Sequence, residues 1–222
     1  MSSNLSVAEE NYIKNIYHLQ QQAGAVSTNA LAAVLHARPA SVTDMLKKLK
    51  AKKLLQYEPY REFQLSQQGR KTALEIVRKH RLWEYFLVDK LQFGWHEVHE
   101  VAEELEHVSS KKLVEKLDAF LDYPRFDPHG DPIPDSSGKM SAQQQVALVS
   151  LPLNTPAKVT AVGSQSPELL ELLKHKNITI GTRLTVSRRF AFDQSVEIII
   201  DGETPVQMSE QLSRVLFVHQ DS

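Results

Sequence analysis

The chain has 222 residues, 41% of them hydrophobic and 24% charged, which suits a water-soluble protein of one large domain or two to three small ones. It contains no cysteine, which excludes disulfides, thiolate catalysis and cysteine-ligated zinc or iron–sulfur sites; any metal must be held by histidine, carboxylate, amide or water. The net charge of −1 is unevenly spread: residues 1–80 carry 12 Lys+Arg against 6 Asp+Glu, residues 81–125 carry 6 against 10, and residues 126–222 carry 8 against 11. A basic head and an acidic middle suit a polyanion at one end and cations at the centre. No run approaches about 18 apolar residues, and the start lacks a basic segment leading into an apolar one, so a cytoplasmic protein without membrane spans is expected.

The segment "SVAEENYIKNIYHLQQQ" places Val7, Tyr12, Ile13, Ile16, Tyr17 and Leu19 near helical spacing, and Gly24 ends it. Ser27 is a good N-cap for a second helix, "TNALAAVLHA". Pro39 then fits the first turn of a third, "RPASVTDMLKKLKAKKLL". Two short helices joined by a tight turn, the second opening with small hydroxyl residues and closing in lysines, read as a helix-turn-helix. In "LLQYEPYREFQLSQQG", Leu55, Tyr57, Phe63 and Leu65 alternate about a break at residues 58–62, which predicts a β-hairpin wing with Arg61 near its tip.

Ser66 caps a long helix to about Leu91, whose apolar face includes Leu74, Val77, Leu82, Tyr85 and Phe86. His80 and Glu84 form an i, i+4 pair on its other side. The next helix, "WHEVHEVAEELEHVSS", begins like the zinc-protease motif H-E-x-x-H but has Glu103 where the second histidine belongs. His99, Glu103, Glu106 and His107 fall at i, i+4, i+7 and i+8 and share one stripe. At 1.5 Å per residue its two histidines are about 12 Å apart, too far to share one ion. The stripe is therefore either a solvated face or serves two ions, one near His107 with Glu103 and Glu106, another near His99 with ligands from elsewhere.

After a further helix, "SKKLVEKLDAFLDY", the pattern breaks at "PRFDPHGDPIPDSSGKMSAQQQ", with four prolines and two glycines in 22 residues, a turn running into a linker over 135–147. His129 reads as a turn residue there, and Trp83 and Trp95 as core or interface residues. Short β-rich runs around the helix "SPELLELLKHK" make residues 148–222 a compact, mostly β barrel.

A winged helix, then "RKHRLWEYF" and "VHEVAEELEHV", then "PHGDPIP", then a small barrel closing in "SEQLSRVLFV" together resemble the diphtheria-toxin-repressor family of metal-dependent transcriptional repressors, nearly end to end. The resemblance implies an α+β protein. An N-terminal winged helix-turn-helix would occupy residues 1–70, a helical metal-binding and dimerisation domain 71–134, and a C-terminal SH3-like, FeoA-type β barrel 148–222 after the linker. It also implies two metal sites per subunit. His80, Glu84 and His99 match the ancillary site, with Glu168 and Gln165 where the barrel adds ligands; Glu103, Glu106 and His107 match the primary site, completed by Asn11 of the first helix. The iron-sensing branch has a cysteine at the position of Glu103, and the manganese-sensing branch a carboxylate. Asn11 stands where the manganese branch has aspartate, and Lys14 where some of its members have glutamate.

An oxygen and nitrogen shell suits Mn²⁺ or Fe²⁺ better than soft-ligand metals, and the resemblance points nearer to manganese. The expected function is metal-gated alignment of a homodimer on a double-stranded operator, controlling metal-uptake genes. Arg38, Pro39, Ala40, Ser41, Thr43 and Asp44 would open the recognition helix, and Lys47, Lys48 and Arg61 would bind backbone phosphates. The rival readings are a winged-helix regulator of an organic ligand, and a metal-binding carboxylate enzyme. Glu104 and His107 form one Glu-x-x-His pair, but a di-iron bundle needs two.

Overall fold

The computed structural model describes residues 5–58, 61–202 and 204–220. Its chain forms two compact units, Met1–His80 with Glu104–Val114 and Pro134–Lys139, and Arg81–Glu103 with Glu115–Ile133 and Met140–Ser222. The helix α4 (Gln67–Leu91) contributes its first part to one and its second part to the other.

In the first unit, α1 (Val7–Ala23) starts at Ser6, whose hydroxyl accepts from Glu9 N while the Glu9 carboxylate accepts from Ser6 N, a capping box. It stops at Gly24, where φ is +81°. Ser27 caps α2 (Thr28–Val34), and α3 (Pro39–Ala51) begins on Pro39. Val42, Leu46 and Leu49 of α3 are fully buried with Ile13 and Ile16 of α1. The wing is β1 (Leu55–Gln56) paired antiparallel with β2 (Gln64–Leu65), and Val26 bridges Phe63 beside it. The wing tip at 59–60 lies outside the described residues. The stretch read as the start of the linker folds locally: Asp135 Oδ1 accepts from the backbone N–H of Ser137 and of Lys139.

In the second unit, β3 (Val146–Ala147), β4 (Pro156–Val162), β5 (Arg183–Arg189), β6 (Val196–Ile200), β7 (Val206–Met208) and β8 (Leu216–Gln220) form one antiparallel sheet. The order is β3-β8-β4-β5-β6-β7. Irregular register at Val159/Ala161 and Val186/Arg188 lets the sheet bend, consistent with an SH3-like α+β fold. Its inward residues, with Leu170 and Leu173 of α7 (Pro167–His175), make the core of this unit, against which Trp95 packs.

Two shorter helices, α5 (Val98–Leu105) and α6 (Lys111–Phe120), follow α4. The periodicity predicts a helix through His107, but α5 ends at Leu105 and Val108 N closes a tight turn on Leu105 O. Glu106 and His107 therefore leave the helical stripe, and Glu106 is fully buried while the Glu103 side chain is half exposed.

The loop after α6 is fixed by Asp127, whose Oδ1 accepts from His129 N at 2.8 Å and Asp131 N at 2.9 Å. Gly130 has φ +86°, and a Cβ there would stand 1.9 Å from Thr160 O of β4. Both conformation and space demand glycine. Gly130→Ala is expected to destabilise the protein by about 2 kcal/mol or more, read as a lower thermal midpoint; an unchanged midpoint would refute this account of the turn.

Candidate functional site

Among the described residues, buried titratable side chains gather around Glu106 in the first unit and around Glu84 and Asp127 in the second. In the first, Glu106 is held from three sides. Lys14 Nζ lies 2.8 Å from its Oε1 and 2.9 Å from its Oε2, and His80 Nδ1 lies 2.6 Å from Oε2. Burial alone would raise the Glu106 pKa, but the bond from His80 and the charge of Lys14 outweigh it and hold the carboxyl below its ordinary range. Next to it, His107 turns Nδ1 to Glu10 Oε2 at 2.7 Å and Nε2 towards Glu106 Oε1 at 3.8 Å. Glu10 also faces Lys79, at 3.9 Å. A carboxylate on one ring nitrogen orients the other, as the outer carboxylate does in metal-bound histidines.

Asn11, the residue predicted from α1, is half-buried one position beyond Glu10, and its backbone carbonyl accepts from Asn15. Glu10 was not singled out from the sequence. The signal was available, since Glu10 and Lys14 are one helical turn apart and must share a face.

In the second unit, Glu84, Asp127 and His129 are all buried, and one ligand atom from each lies within 4.8 Å of the others. His129 Nδ1 is 3.8 Å from Glu84 Oε2, and His129 Nε2 is 2.6 Å from the carbonyl of Trp95, whose ring stacks on the imidazole. Arg81 Nε stands 3.5 Å from Asp127 Oδ2. Asp127 Oδ2 and His129 Nδ1 have no hydrogen-bond partner among the described residues. Buried polar atoms without partners are costly, and an imidazole nitrogen and carboxylate oxygens converging there fit a divalent cation by type and number.

Of the residues predicted for the ancillary site, Glu84 Oε1 is 3.3 Å from His99 Nδ1, and His99 Nε2 is 3.6 Å from Glu103 Oε1. His80 precedes Glu84 by one turn of α4, and one ligand atom from each of His80, Glu84 and His99 lies within 4.8 Å of the others, as in the group that Glu84 forms with Asp127 and His129. Gln165 donates its amide to Asp131 Oδ2 at 3.1 Å, and Glu168 is exposed in the first turn of α7. Neither belongs to the Glu84–Asp127–His129 group. The turn reading of His129 is right for its backbone and incomplete for its ring, which is fully buried. The sequence signal was Asp127 and His129 at i, i+2, close in the chain yet far from Glu84.

On α3, Arg38, Pro39, Ala40, Ser41, Asp44, Lys47 and Lys48 are exposed and Thr43 is half-buried, opposite the buried Val42–Leu46–Leu49 face. The Thr43 hydroxyl donates to Pro39 O, and Lys47 pairs with Asp44. Arg61 is exposed beside Glu58. Lys52, just past the end of α3, binds Glu9 at 2.7 Å.

Residues 4–63 match the family described as iron dependent repressor, N-terminal DNA binding domain, and residues 66–135 match iron dependent repressor, metal binding and dimerisation domain. The chain is 28% identical over 221 residues to the iron-dependent repressor IdeR of Mycobacterium leprae (strain TN), covering 94% of this chain and 95% of that protein. It is 27% identical over 223 residues to the diphtheria toxin repressor of Corynebacterium glutamicum, covering 94% of each. Among solved structures, a manganese-dependent transcriptional repressor in complex with manganese superposes with a TM-score of 0.84 at 30% identity, over 96% of this chain and 99% of that one. ScaR with bound Cd²⁺ superposes with a TM-score of 0.79 at 29% identity, over 96% and 99%.

The second group has a pH signature. Burial, together with the nearby Glu84 and Asp131 carboxylates, pushes Asp127 up to about 8 against the opposing charges of Arg81 and His129. Burial disfavours charged His129, but Glu84, Asp127 and the Trp95 carbonyl outweigh it and raise its pKa. Between the ordinary aspartate value of 3.8 and about 8 the folded state holds a proton that the unfolded chain has lost. The stabilisation from Asp127 is therefore complete at low pH and is lost as pH rises through about 8, and His129 acts in the same sense above its ordinary range. In chelator, the thermal midpoint is expected to fall between about pH 5 and pH 8, and Asp127→Asn to flatten that fall. A midpoint that rises over this window, or a slope unchanged in the variant, would contradict the assignment.

Proposed function

Because this chain belongs to the iron-dependent repressor family, that of the diphtheria toxin repressor, and is a metal-dependent transcriptional repressor, we propose that Mn²⁺, rather than Fe²⁺, is its physiological signal and that two clusters per subunit hold it. The first is Glu106 and His107, with Glu103 and the α1 residue Asn11 as further donors. The second centres on Glu84. The observation that carries this reading is the convergence of buried Glu84, Asp127 and His129, with Asp127 Oδ2 and His129 Nδ1 lacking a hydrogen-bond partner among the described residues. His80, Glu84 and His99, with Gln165 and Glu168, are the alternative set for the second ion, since their first three members converge equally closely; we place it at Glu84, Asp127 and His129 because of those two unpartnered atoms. Oxygen and nitrogen donors without sulfur favour Mn²⁺ or Fe²⁺ by type; affinity alone would favour later divalent metals, so availability also decides.

A bound divalent cation would supply positive charge to buried carboxylates and fix their geometry. The chain's own residues do the rest. Glu10 and Lys14 on α1 reach His107 and Glu106, so ordering that cluster restrains the helix that carries the reader. In a homodimer, two recognition helices must meet major grooves about 34 Å apart. A shift from 1:99 to 99:1 in the aligned population needs about 5.5 kcal/mol of differential binding.

Lys47, Lys48 and Arg61 contact phosphates in this reading, and Ala40, Ser41 and Thr43 contact base edges. Exposed Phe120, Tyr123 and Leu91 supply apolar surface for the homodimer. The targets proposed are operators of metal-uptake genes. Among the described residues no helix is long and apolar enough to cross a membrane. We read the protein as a DNA-binding regulator and not an enzyme, since Glu103 replaces the second histidine that a zinc-protease helix requires.

The test is fluorescence anisotropy on a duplex DNA pool with chelator-stripped protein, titrated separately with Mn²⁺, anaerobic Fe²⁺ and Zn²⁺. Tight binding is expected to appear with Mn²⁺ or Fe²⁺, to vanish in Glu106→Ala/His107→Ala, and to weaken at least tenfold in Asp127→Ala/His129→Ala. His99→Ala affecting binding more than Asp127→Ala would return the second ion to His80, Glu84 and His99. Binding that persists in chelator would favour an organic signal. On the DNA side, Lys47→Ala and Lys48→Ala are each expected to lower the salt slope by about 1 across all sequences, whereas Thr43→Ala should alter sequence preference. A lysine variant that changes preference and leaves the slope alone would contradict that division.

A further inference from the structure

Glu106 already has a cation from within the chain on its carboxylate. Its carboxylate has no contact with solvent, and both of its oxygens lie within 3 Å of Lys14 Nζ, at 2.8 and 2.9 Å. Lys14 is itself buried, 6% exposed. A lysine is rarely withdrawn from water without a paired charge, and a carboxylate this deep would be costly without a cation beside it. The pairing is therefore a requirement of the fold at this point. The same two oxygens are the donors that Glu106 would offer to a divalent ion. An ammonium and a metal ion compete for the same lone pairs and repel each other.

We propose that Lys14 is a tethered counter-cation of the first metal cluster: it holds Glu106 until a divalent ion takes over, gives up at least one carboxylate oxygen when that happens, and so lowers the cluster's affinity for metal. The proposal rests on the reading of Glu106 as a ligand. Lys14 sits on α1, one turn after Glu10, whose carboxylate holds His107. Adjacent residues 106 and 107 are thus gripped by one helix through groups of opposite charge. Loss of the Lys14 grip with retention of the Glu10 grip would change how α1 is held, and α1 belongs to the DNA-reading unit. Lys14 sets both the concentration at which the protein responds and the point at which occupancy is transmitted.

The direction of the effect separates this role from a merely structural one, because a lysine needed only for packing would weaken metal binding when removed. The experiment is Mn²⁺ titration of the full chain without DNA, followed by the electron paramagnetic resonance signal of free Mn²⁺, on wild type, Lys14→Gln, Lys14→Arg and Glu106→Gln. The step lost in Glu106→Gln belongs to this cluster. In Lys14→Gln that step is expected at least tenfold tighter, with a lower thermal midpoint in chelator. Lys14→Arg, which keeps the charge, should stay close to wild type. Unchanged or weaker affinity in folded Lys14→Gln, with the step still lost in Glu106→Gln, overturns the Lys14 proposal alone. Full Mn²⁺ binding by Glu106→Gln overturns the ligand assignment and this proposal with it.

Should Lys14→Gln not fold, the wild-type protein answers directly through the NMR signal of the Lys14 ammonium, with Zn²⁺ as a diamagnetic probe. A signal that moves or exchanges faster as Zn²⁺ fills the cluster supports displacement, and one that stays unchanged at saturation overturns it.

Discussion

Among the described residues Glu84, Glu106 and Asp127 are the carboxylates most deeply withdrawn from water, and each has to be compensated where it stands. A buried charge without a partner costs several kcal/mol, while a pair with good geometry roughly breaks even. Such groups are poor sources of stability and good places for a ligand to act. Glu106 has Lys14 and His80; Asp127 has Arg81 and two backbone N–H groups; Glu84 has His99 and His129 within 4 Å. The compensation differs in kind. Glu106 is held ionised by a full positive charge, whereas Asp127 is pushed towards its protonated form by burial and by two neighbouring carboxylates.

That difference bears on how each cluster meets a divalent ion. At Glu106 a cation is already present, so charge must be exchanged. At Asp127 the carboxyl must give up its proton, so binding there is linked to pH. One protein thus contains two ways of keeping buried carboxylates folded, one by a tethered ammonium and one by protonation. The first also couples to the reader, because α1 uses consecutive carboxylates for different ends. Glu9 closes the cap of α1 and binds Lys52 just past the end of α3, while Glu10 binds His107. Burial opposes the charge on Glu9, yet Lys52 and Ser6 outweigh it and keep the carboxyl ionised.

Much of this was legible in the sequence because it follows from local rules. The cap at Ser27, the stop at Gly24 and the proline opening α3 marked three helices, and the short alternating run marked the wing. The site was legible only in part. Periodicity carries α5 to His107, but the helix stops at Leu105, and the turn beyond it sends Glu106 inward; a helical wheel cannot express a change of direction at a terminus. The resemblance points to Asn11 on α1, and the neighbouring Glu10 is the residue whose carboxylate meets His107. His129 was hidden for another reason: in a segment rich in proline and glycine, turn chemistry accounts for every residue, and only the fold reveals that the ring is buried.

The barrel-forming sequence has a part in the second cluster that strand signals alone did not disclose. His129 is positioned by its neighbours more than by its own loop. Its carbonyl accepts from Val162 N at the end of β4, its Nε2 faces the Trp95 carbonyl, and the Trp95 ring stacks on the imidazole while packing against the core of the sheet. Gly130 lets the loop lie directly on Thr160, closer than any side chain would permit. Nδ1 is the ring nitrogen left to face Glu84, and its direction is set by β4 and Trp95. A ligand whose aim depends on a strand ties the integrity of the cluster to the folding of the sheet. The C-terminal sheet can therefore matter to the proposed second metal cluster through the backbone of β4.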